Sequence, residues 1–428
     1  MKHHRSYTLF FIPFAVTAIL MLGVMPGLAQ THYPVPGEIP EPMPMVDEGN
    51  DDIINFLLIG SDTENPRNAG RTDVLLIMSV NRTAGTVAML SLPRDLYVYI
   101  PGHRSYRINA AYGYGEQAEA GSGPQLLIDT IRHNLGLRID YYARVDFNDF
   151  RRIVDDLGGI EVVVDCALQD WQLIAPDLDP QFEDSWELVT LDVGVHWMDG
   201  DQALWYARSR RTSSDFDRGR RHQVLMRALW NRIQGLSLTA QLTDIWPQVL
   251  ESVQTDISLD LMLELVPLAL SMDSSRIASY TFRPNVEVRS WLSPEGSNVL
   301  VPVRASIAEL ERQFMQPPTE HQLVRERPVV EIVNATGVTN LARVAADRLA
   351  WDGFTPRINA QPQNYRNYTM IYDYTGQTKG SSLEALQMAL RVSDEGVVSE
   401  PDPDREVDFR VVLGGRYLAC THGVLPPQ

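Results

Sequence analysis

Two cysteines in 428 residues, a formal net charge of −18 and the lack of any histidine or cysteine cluster at metal-ligand spacing exclude a good deal. Cys166 and Cys420 stand far apart and show no thiolate-site pattern; they read as two buried free thiols, with an interdomain disulfide as the alternative. The acidic balance argues against nucleic acid as a partner, because that binding rests on spread basic charge neutralising phosphates. No Ser-His-Asp or Cys-His arrangement stands out, which argues against a protein nucleophile.

What is present is ordinary core material, 44% hydrophobic, in a chain long enough for two or three domains. Within it lies a concentration of arginine: "YARSRRTSSDFDRGRRHQ" places six in the fourteen positions from Arg208 to Arg221. Such charge needs anions, either the protein's own carboxylates or a phosphate, whose oxygens match the guanidinium fork.

The N-terminus, residues 1–29, has Lys2 and Arg5, an apolar run from Leu9 to about Met25, and small residues before Gln30. It reads as a cleaved signal peptide or a retained membrane anchor, so the rest is expected to be exported. Residues 30–52, with five prolines and an acidic end, read as an extended stalk.

From 53 to 315 short apolar runs alternate with helical patterns. "IINFLLIG", "DVLLIMSV" and "TVAMLSL" predict buried strands, the last two joined by a hairpin-like turn over 81–85. "GPQLLIDTIRHNLG" predicts a helix with Pro124 in its first turn and Gly136 as its stop. A strand over 140–145, a short helix capped by Asn148 and ended by Gly158, and a strand over 160–165 follow. This alternation gives an α/β layered sheet, whose ligands sit beyond the carboxyl ends of the strands. There lie Asp62, Asp73 and Arg94, types that suit a divalent cation with a phosphate.

Asp199 and Gln202 have capping-box spacing, so a helix starts there; Arg208 and Arg210 share a face where the chain is extended. A second helix begins near Asp215 or Asp217 and carries the stripe Leu225, Leu229, Ile233, Leu236. At about 100° per residue, Arg218 falls roughly 20° from Leu225, Arg221 roughly 40°, and Arg220 about 140° away, toward solvent. Arg218 and Arg221 thus continue a core-facing stripe and need a buried anion, or internal ion pairs to Asp215 or Asp217.

These residues, in this order, resemble the LytR-CpsA-Psr family of exported cell-envelope enzymes. The resemblance rests on "LLIGSD", "GRTDVLLIMSV", "SLPRDLYVYIPG", "RINAAYGYG", "DFNDFRRIVDDLGGIEVVV", "MDGDQALWYARSR" and "SDFDRGRRHQ". It implies a layered α-β-α domain with a central mixed sheet that holds a polyprenyl pyrophosphate. The implied activity is Mg²⁺-assisted transfer of a lipid-linked glycopolymer onto peptidoglycan at the membrane surface, with no role for nucleic acid. Asp62 and Asp73 resemble the metal-organising aspartates, and Arg94, Arg208, Arg210 and Arg218 the catalytic phosphate arginines. Arg107, Asn109, Tyr112, Arg221 and His222 are implied on the substrate. Arg107 stands where the family has lysine, and His222-Gln223 where it has a glutamine pair. Hydrolysis at the same site, or a non-catalytic lipid-phosphate scaffold, are the alternatives.

After a linker over 316–327, residues 328–420 resemble the small C-terminal α/β domain found in many of these proteins. "VVEIVNATGVTNLARVAADRLAWDGF" reads as strand, turn and helix, and "NYTMIYDY" and "DFRVVLGG" supply later strands. No catalytic constellation appears there, and it reads as a binding or spacing module.

Overall fold

The apolar runs after residue 53 become the middle of a six-stranded sheet. The computed structural model describes residues 37–61, 70–175, 178–179, 181–236, 247, 249–272, 274–317, 322–361, 363–377 and 382–420. In it β1 (Ile53–Ser61), β2 (Thr72–Asn81) and β3 (Thr86–Ser91) are antiparallel neighbours, β2 and β3 joined by the tight 81–85 turn. A small hairpin, β4 (Tyr97–Tyr99) and β5 (Ser105–Arg107), leads into the helices α1 (Ala111–Ala118) and α2 (Gly123–Leu135). Then β6 (Tyr141–Asp146) runs parallel to β1.

Beyond α3 (Phe147–Asp156), β7 (Ile160–Val164) turns away, through the hairpin β8 (Leu168–Leu173) and β9 (Trp186–Leu191), to pair with β10 (Gly194–Met198). α4 (Gly200–Arg208) and α5 (Asp215–Gly235) follow. β11 (Val253–Thr255) pairs antiparallel with β6, and β12 (Ile277–Thr281) parallel with β3, so the sheet is mixed, ordered β11-β6-β1-β2-β3-β12. One face packs on α1, α2 and the helix Arg304–Met315; the other packs on the helix Leu259–Ser271 through Ile54, Phe56 and Val80. The α/β expectation holds.

α3 is capped by Asp146, two positions before the expected Asn148 cap, and its carboxylate accepts from the Asn148 amide. The start of α5 is a full capping box: Ser214 accepts from the Asp217 amide and Asp217 from the Ser214 amide. Gly219 lets α5 come close to the sheet. A Cβ there would lie 3.0 Å from the Cβ of Ser91, whose hydroxyl donates to the Gly219 carbonyl at 2.8 Å.

The expected stalk is not free along its length. Met43 and Val46 donate their amides to the carbonyls of His133 and Gly136 at the end of α2. Arg304 holds the Glu41 carbonyl, and Glu48 pairs with Arg138. A helix leaves its last carbonyls without partners, and a proline-rich extended chain has amides to offer them. Gly136, at φ 64°, closes α2 and leaves room for the Pro44 carbonyl, which a Cβ would meet at 2.1 Å.

The C-terminal domain has its own five-stranded mixed sheet, ordered Thr355–Asn359, Val329–Asn334, Phe409–Leu413, Met370–Asp373, Val397–Ser399, with a separate core. Its helix Leu341–Trp351 lies against β7 and β10, where Val163 joins its core. Arg343 pairs with Glu161, and Arg227 of α5 lies 3.4 Å from the Trp351 ring centroid. Cys166 and Cys420, expected as free thiols, form a disulfide across this junction. Their 254-residue separation in sequence is no obstacle, because docking brings the exit of β7 beside the end of the last strand. No helix among the described residues is long and apolar enough to cross a membrane, and the N-terminal apolar run lies outside those residues.

Candidate functional site

A cavity of about 410 Å³ opens where β2, the β3–β5 segment, α4 and the start of α5 meet. Six arginines line it: Arg71, Arg94, Arg107, Arg208, Arg210 and Arg218, with Asp73, Asn109, Phe147 and His222. Each is delivered by a local feature. Arg71 and Asp73 flank buried Thr72 as the chain enters β2 and so face the same way. Arg94 precedes β4 and Arg107 ends β5, so both lie at the open end of the hairpin, where Tyr97 pairs with Arg107. Arg208 ends α4 with its guanidinium over the Phe147 ring at 4.7 Å. The turn after it is held by Asp170, whose carboxylate accepts from the amides of Arg210 at 2.6 Å and Arg211 at 3.2 Å. Arg218 comes from the first turn of α5 and is only 4% exposed.

Three carboxylates answer the six guanidiniums. Asp73 pairs closely with Arg94 and lies 3.7 Å from Arg210. Asp95 lies 3.3 Å from Arg107 and 3.7 Å from Arg94, and Asp215 is 3.1 Å from Arg218. Among the described residues arginine therefore predominates in the lining. The buried Nε atoms of Arg94 and Arg107 make no well-formed hydrogen bond among the described residues; the carboxylate they face is Asp95, at 3.7 and 3.3 Å.

Burial, and then its hydrogen bond to Asp215, push Asp95 upward, whereas Asp215, although burial opposes it, is held down by Arg218 and that same bond. Two carboxyls this close disfavour ionising together, and Arg218 favours the charged form of Asp215. Burial pushes Arg218 down to about 10 against the pull of Asp215, with Arg210 and Arg94 adding repulsion. An added anion would relieve that repulsion.

His222 also faces the cavity, its Nε2 3.1 Å from the Ala207 carbonyl. Burial, then Arg218 and Arg221, push the imidazole down to about 3 from 6.5. It is neutral at pH 7 and is no proton donor to a leaving group. A depressed folded value means stability that is full above pH 6.5 and lost as pH falls toward 3. His222→Gln should remove roughly 2 kcal/mol of the stability loss between pH 7 and 5. Denaturation midpoints at those two pH values check this; an unchanged pH dependence would contradict it.

Of the residues expected at the site, Arg94, Arg107, Asn109, Arg208, Arg210, Arg218, His222 and Asp73 are brought together. Asp62 lies outside the described residues. Two are not there. Tyr112, 3% exposed, lies in the core beneath β6, with the Arg144 guanidinium 5.1 Å from its ring. Arg221 is buried as expected, but it donates to the carbonyls of Tyr206 and Ser209 and to the Ser213 hydroxyl. The end of α4 leaves those carbonyls without helical partners, so a buried guanidinium is satisfied there without any anion. Arg220, expected in solvent, pairs with Asp165 at 2.7 Å because β7 covers that face of α5. Gln223 turns to the sheet, donating to Ser91 Oγ and the Tyr280 carbonyl. Arg71, Asp95 and Phe147 are the site residues sequence reasoning passed over, while Asp215 makes the ion pair with Arg218 that was the alternative to a buried anion. Alternation around Thr72 pointed to Arg71; nothing in the sequence marked Phe147.

Residues 30–315 match the model of the LytR_cpsA_psr family, and residues 327–417 that of the LytR cell envelope-related transcriptional attenuator. A Bacillus subtilis protein named polyisoprenyl-teichoic acid–peptidoglycan teichoic acid transferase TagT is 29% identical over 242 residues, 54% of this chain and 70% of that one. A TagU of the same transferase description, from Halalkalibacterium halodurans, is 31% identical over 242 residues, covering 54% and 72%. The crystal structure of B. subtilis TagV shares the fold with a TM-score of 0.50 at 24% identity, over 63% of this chain and 98% of that one.

Proposed function

The chain belongs to the LytR_cpsA_psr family, and on that premise we propose that it moves a glycopolymer from a polyprenyl-pyrophosphate carrier onto peptidoglycan. The observation that carries the reading is the convergence of six arginines on one cavity of about 410 Å³, a lining that suits a pyrophosphate rather than a neutral sugar. A hydroxyl of the wall glycan attacks the phosphorus that bears the incoming polymer. The bond from that phosphorus to the bridging oxygen breaks, polyprenyl phosphate leaves with the electron pair, and the proton of the attacking hydroxyl passes to the departing phosphate or to water. Arg94, Arg208, Arg210 and Arg218 hold the non-bridging oxygens and stabilise the charge that grows on the departing phosphate.

Among the described residues no group of three or more His, Cys, Asp or Glu is placed to share a metal. One or two carboxylates with substrate phosphates suffice for Mg²⁺, however, and Asp73 at the cavity wall fits that donor set. Mg²⁺ held by Asp73, with Asp62, would supply further neutralisation of pyrophosphate oxygens. The carrier implies work at the outer membrane surface, and the interdomain disulfide suits an oxidising, exported setting.

Purified protein given a lipid-linked glycan, Mg²⁺ and peptidoglycan fragments should yield a covalent phosphodiester product. Release of free phosphorylated glycan alone, at any acceptor concentration, would instead establish hydrolysis. Chelator should stop the reaction, and Asp73→Asn should slow it about 100-fold or more without lowering the melting temperature; undiminished turnover in excess chelator would remove the metal.

A further inference from the structure

We propose that the loop over residues 364–369 of the C-terminal domain is a docking platform for the glycan strand of peptidoglycan. Two tyrosines three positions apart are largely in solvent there, Tyr365 at 63% and Tyr368 at 59% exposed. Exposed aromatic rings on a loose loop would mean little, but this loop is fixed. The Arg366 amide donates to the Ala335 carbonyl at 2.9 Å, and the Arg366 carbonyl accepts from the Gly415 amide at 2.7 Å. The Arg416 amide donates to the Asn367 carbonyl at 2.9 Å. The 364–369 loop is thus pinned on both sides, against the ends of the first and last strands of its sheet.

The rings are held as well as the backbone. Tyr365 donates its hydroxyl to Asn367 Oδ1 at 3.1 Å. A Cβ on Gly415 would come within 2.4 Å of that hydroxyl, and one on Gly414 within 2.3 Å of the Tyr368 backbone. The pair of glycines is what allows the close approach. Arg416 covers one side of Tyr368, its guanidinium 4.9 Å from the ring centroid. Binding surfaces gain from such preorganisation, because ordering costs are already met in the free protein.

The chemistry of the patch selects its occupant. Tyrosine faces stack on the apolar face of a pyranose and keep a polar edge for its hydroxyls. The exposed amides of Asn364 and Asn367 suit hydroxyl and acetamido groups, and exposed Arg366 and Arg416 suit carboxylates. Two arginines on the surface of a chain of net charge −18 favour an anionic polymer. An amino-sugar strand carrying carboxylates has all of these features. The donor is already fixed by its lipid pyrophosphate, whereas the acceptor strand has no such anchor and needs a docking surface. The choice of the acceptor rests on the function proposed above, but binding is measured without donor, so the two can fail separately.

The test is co-sedimentation of the full-length protein with peptidoglycan sacculi stripped of phosphodiester-linked glycopolymers. Joint Tyr365→Ala and Tyr368→Ala substitution should raise the Kd about ten-fold, and the corresponding Phe pair should stay within about two- to three-fold of the parent. Arg416→Ala should weaken binding a few-fold and flatten its salt dependence. Parent-like binding by the double alanine variant overturns the proposal, as does binding only to sacculi that keep their glycopolymers. If the double variant fails to fold, Tyr368→Ala alone must weaken binding at least about three-fold, and its failure to do so is equally decisive.

Discussion

Arg218→Ala is expected to lower turnover of a lipid pyrophosphate by about 100- to 1000-fold, the usual loss when one preorganised contact to developing charge is removed. Arg218 is the most deeply placed of the cavity arginines, 4% exposed. Arg94 sits against Asp73, Arg107 against Asp95 and Arg218 against Asp215. Arg210→Ala should cost a similar factor and is the cleaner substitution, since its side chain is 45% exposed and its removal leaves no cavity. Arg221→Ala separates the site from its scaffold. That residue ties down the end of α4, so its loss should lower the melting temperature by several degrees, while the folded fraction keeps turnover within a few-fold. Arg220→Ala should likewise spare turnover. Steady-state kinetics paired with thermal melts read both quantities; a loss for Arg221→Ala matching that for Arg218→Ala, with no drop in melting temperature, would return Arg221 to the anion site.

The second large effect concerns the junction of the two domains. Replacing Cys166 and Cys420 together by serine should cost about 2–5 kcal/mol, near the upper end because the closed loop is 254 residues long. What remains at the junction includes the exposed Arg343–Glu161 pair, the buried Arg227 against Asp347 at 3.6 Å and against the Trp351 ring, and the packing of Val163 and Val193. Exposed pairs contribute little and a buried pair is offset by its own desolvation, so the junction should loosen before either core melts. Hydrogen exchange would show β7 and the helix Leu341–Trp351 losing protection together in the serine variant. A simpler reading comes from proteolysis in the linker. Fragments of the parent protein should stay joined on a non-reducing gel and separate on a reducing one; separation under both conditions would rule out the bridge.

How far the sequence carried these conclusions differs by element. The central strands were legible because buried strands need unbroken apolar runs, and "IINFLLIG" and "DVLLIMSV" could serve no other purpose. α5 was legible from its stripe, and the inward turn of Arg218 followed from the same periodicity. Periodicity states which way a side chain points, however, and not what it meets. Arg221 points inward to carbonyls rather than to an anion, and Arg220 points outward into β7 rather than into water. β11 and β12 are short or weakly patterned strands recruited to sheet edges by tertiary contacts, which no local window reveals. The disulfide, and the carboxyl pair of Asp95 and Asp215, depend on segments more than a hundred residues apart meeting in space.

The strap formed by residues 40–48 along the end of α2 changes the mechanics of attachment. Had residues 30–52 all swung freely, the catalytic body would have explored a wide shell around whatever holds its N-terminus. With Met43 and Val46 bonded to α2, a retained N-terminal anchor would be joined to the strap by the ten residues 30–39, which span at most about 35 Å at full extension. Such a tether would raise the effective concentration of a membrane-bound substrate and restrict which way the body can face. Arg304 and Arg138, which hold the strap, would then govern reach: loosening them should lengthen the tether without touching the cavity.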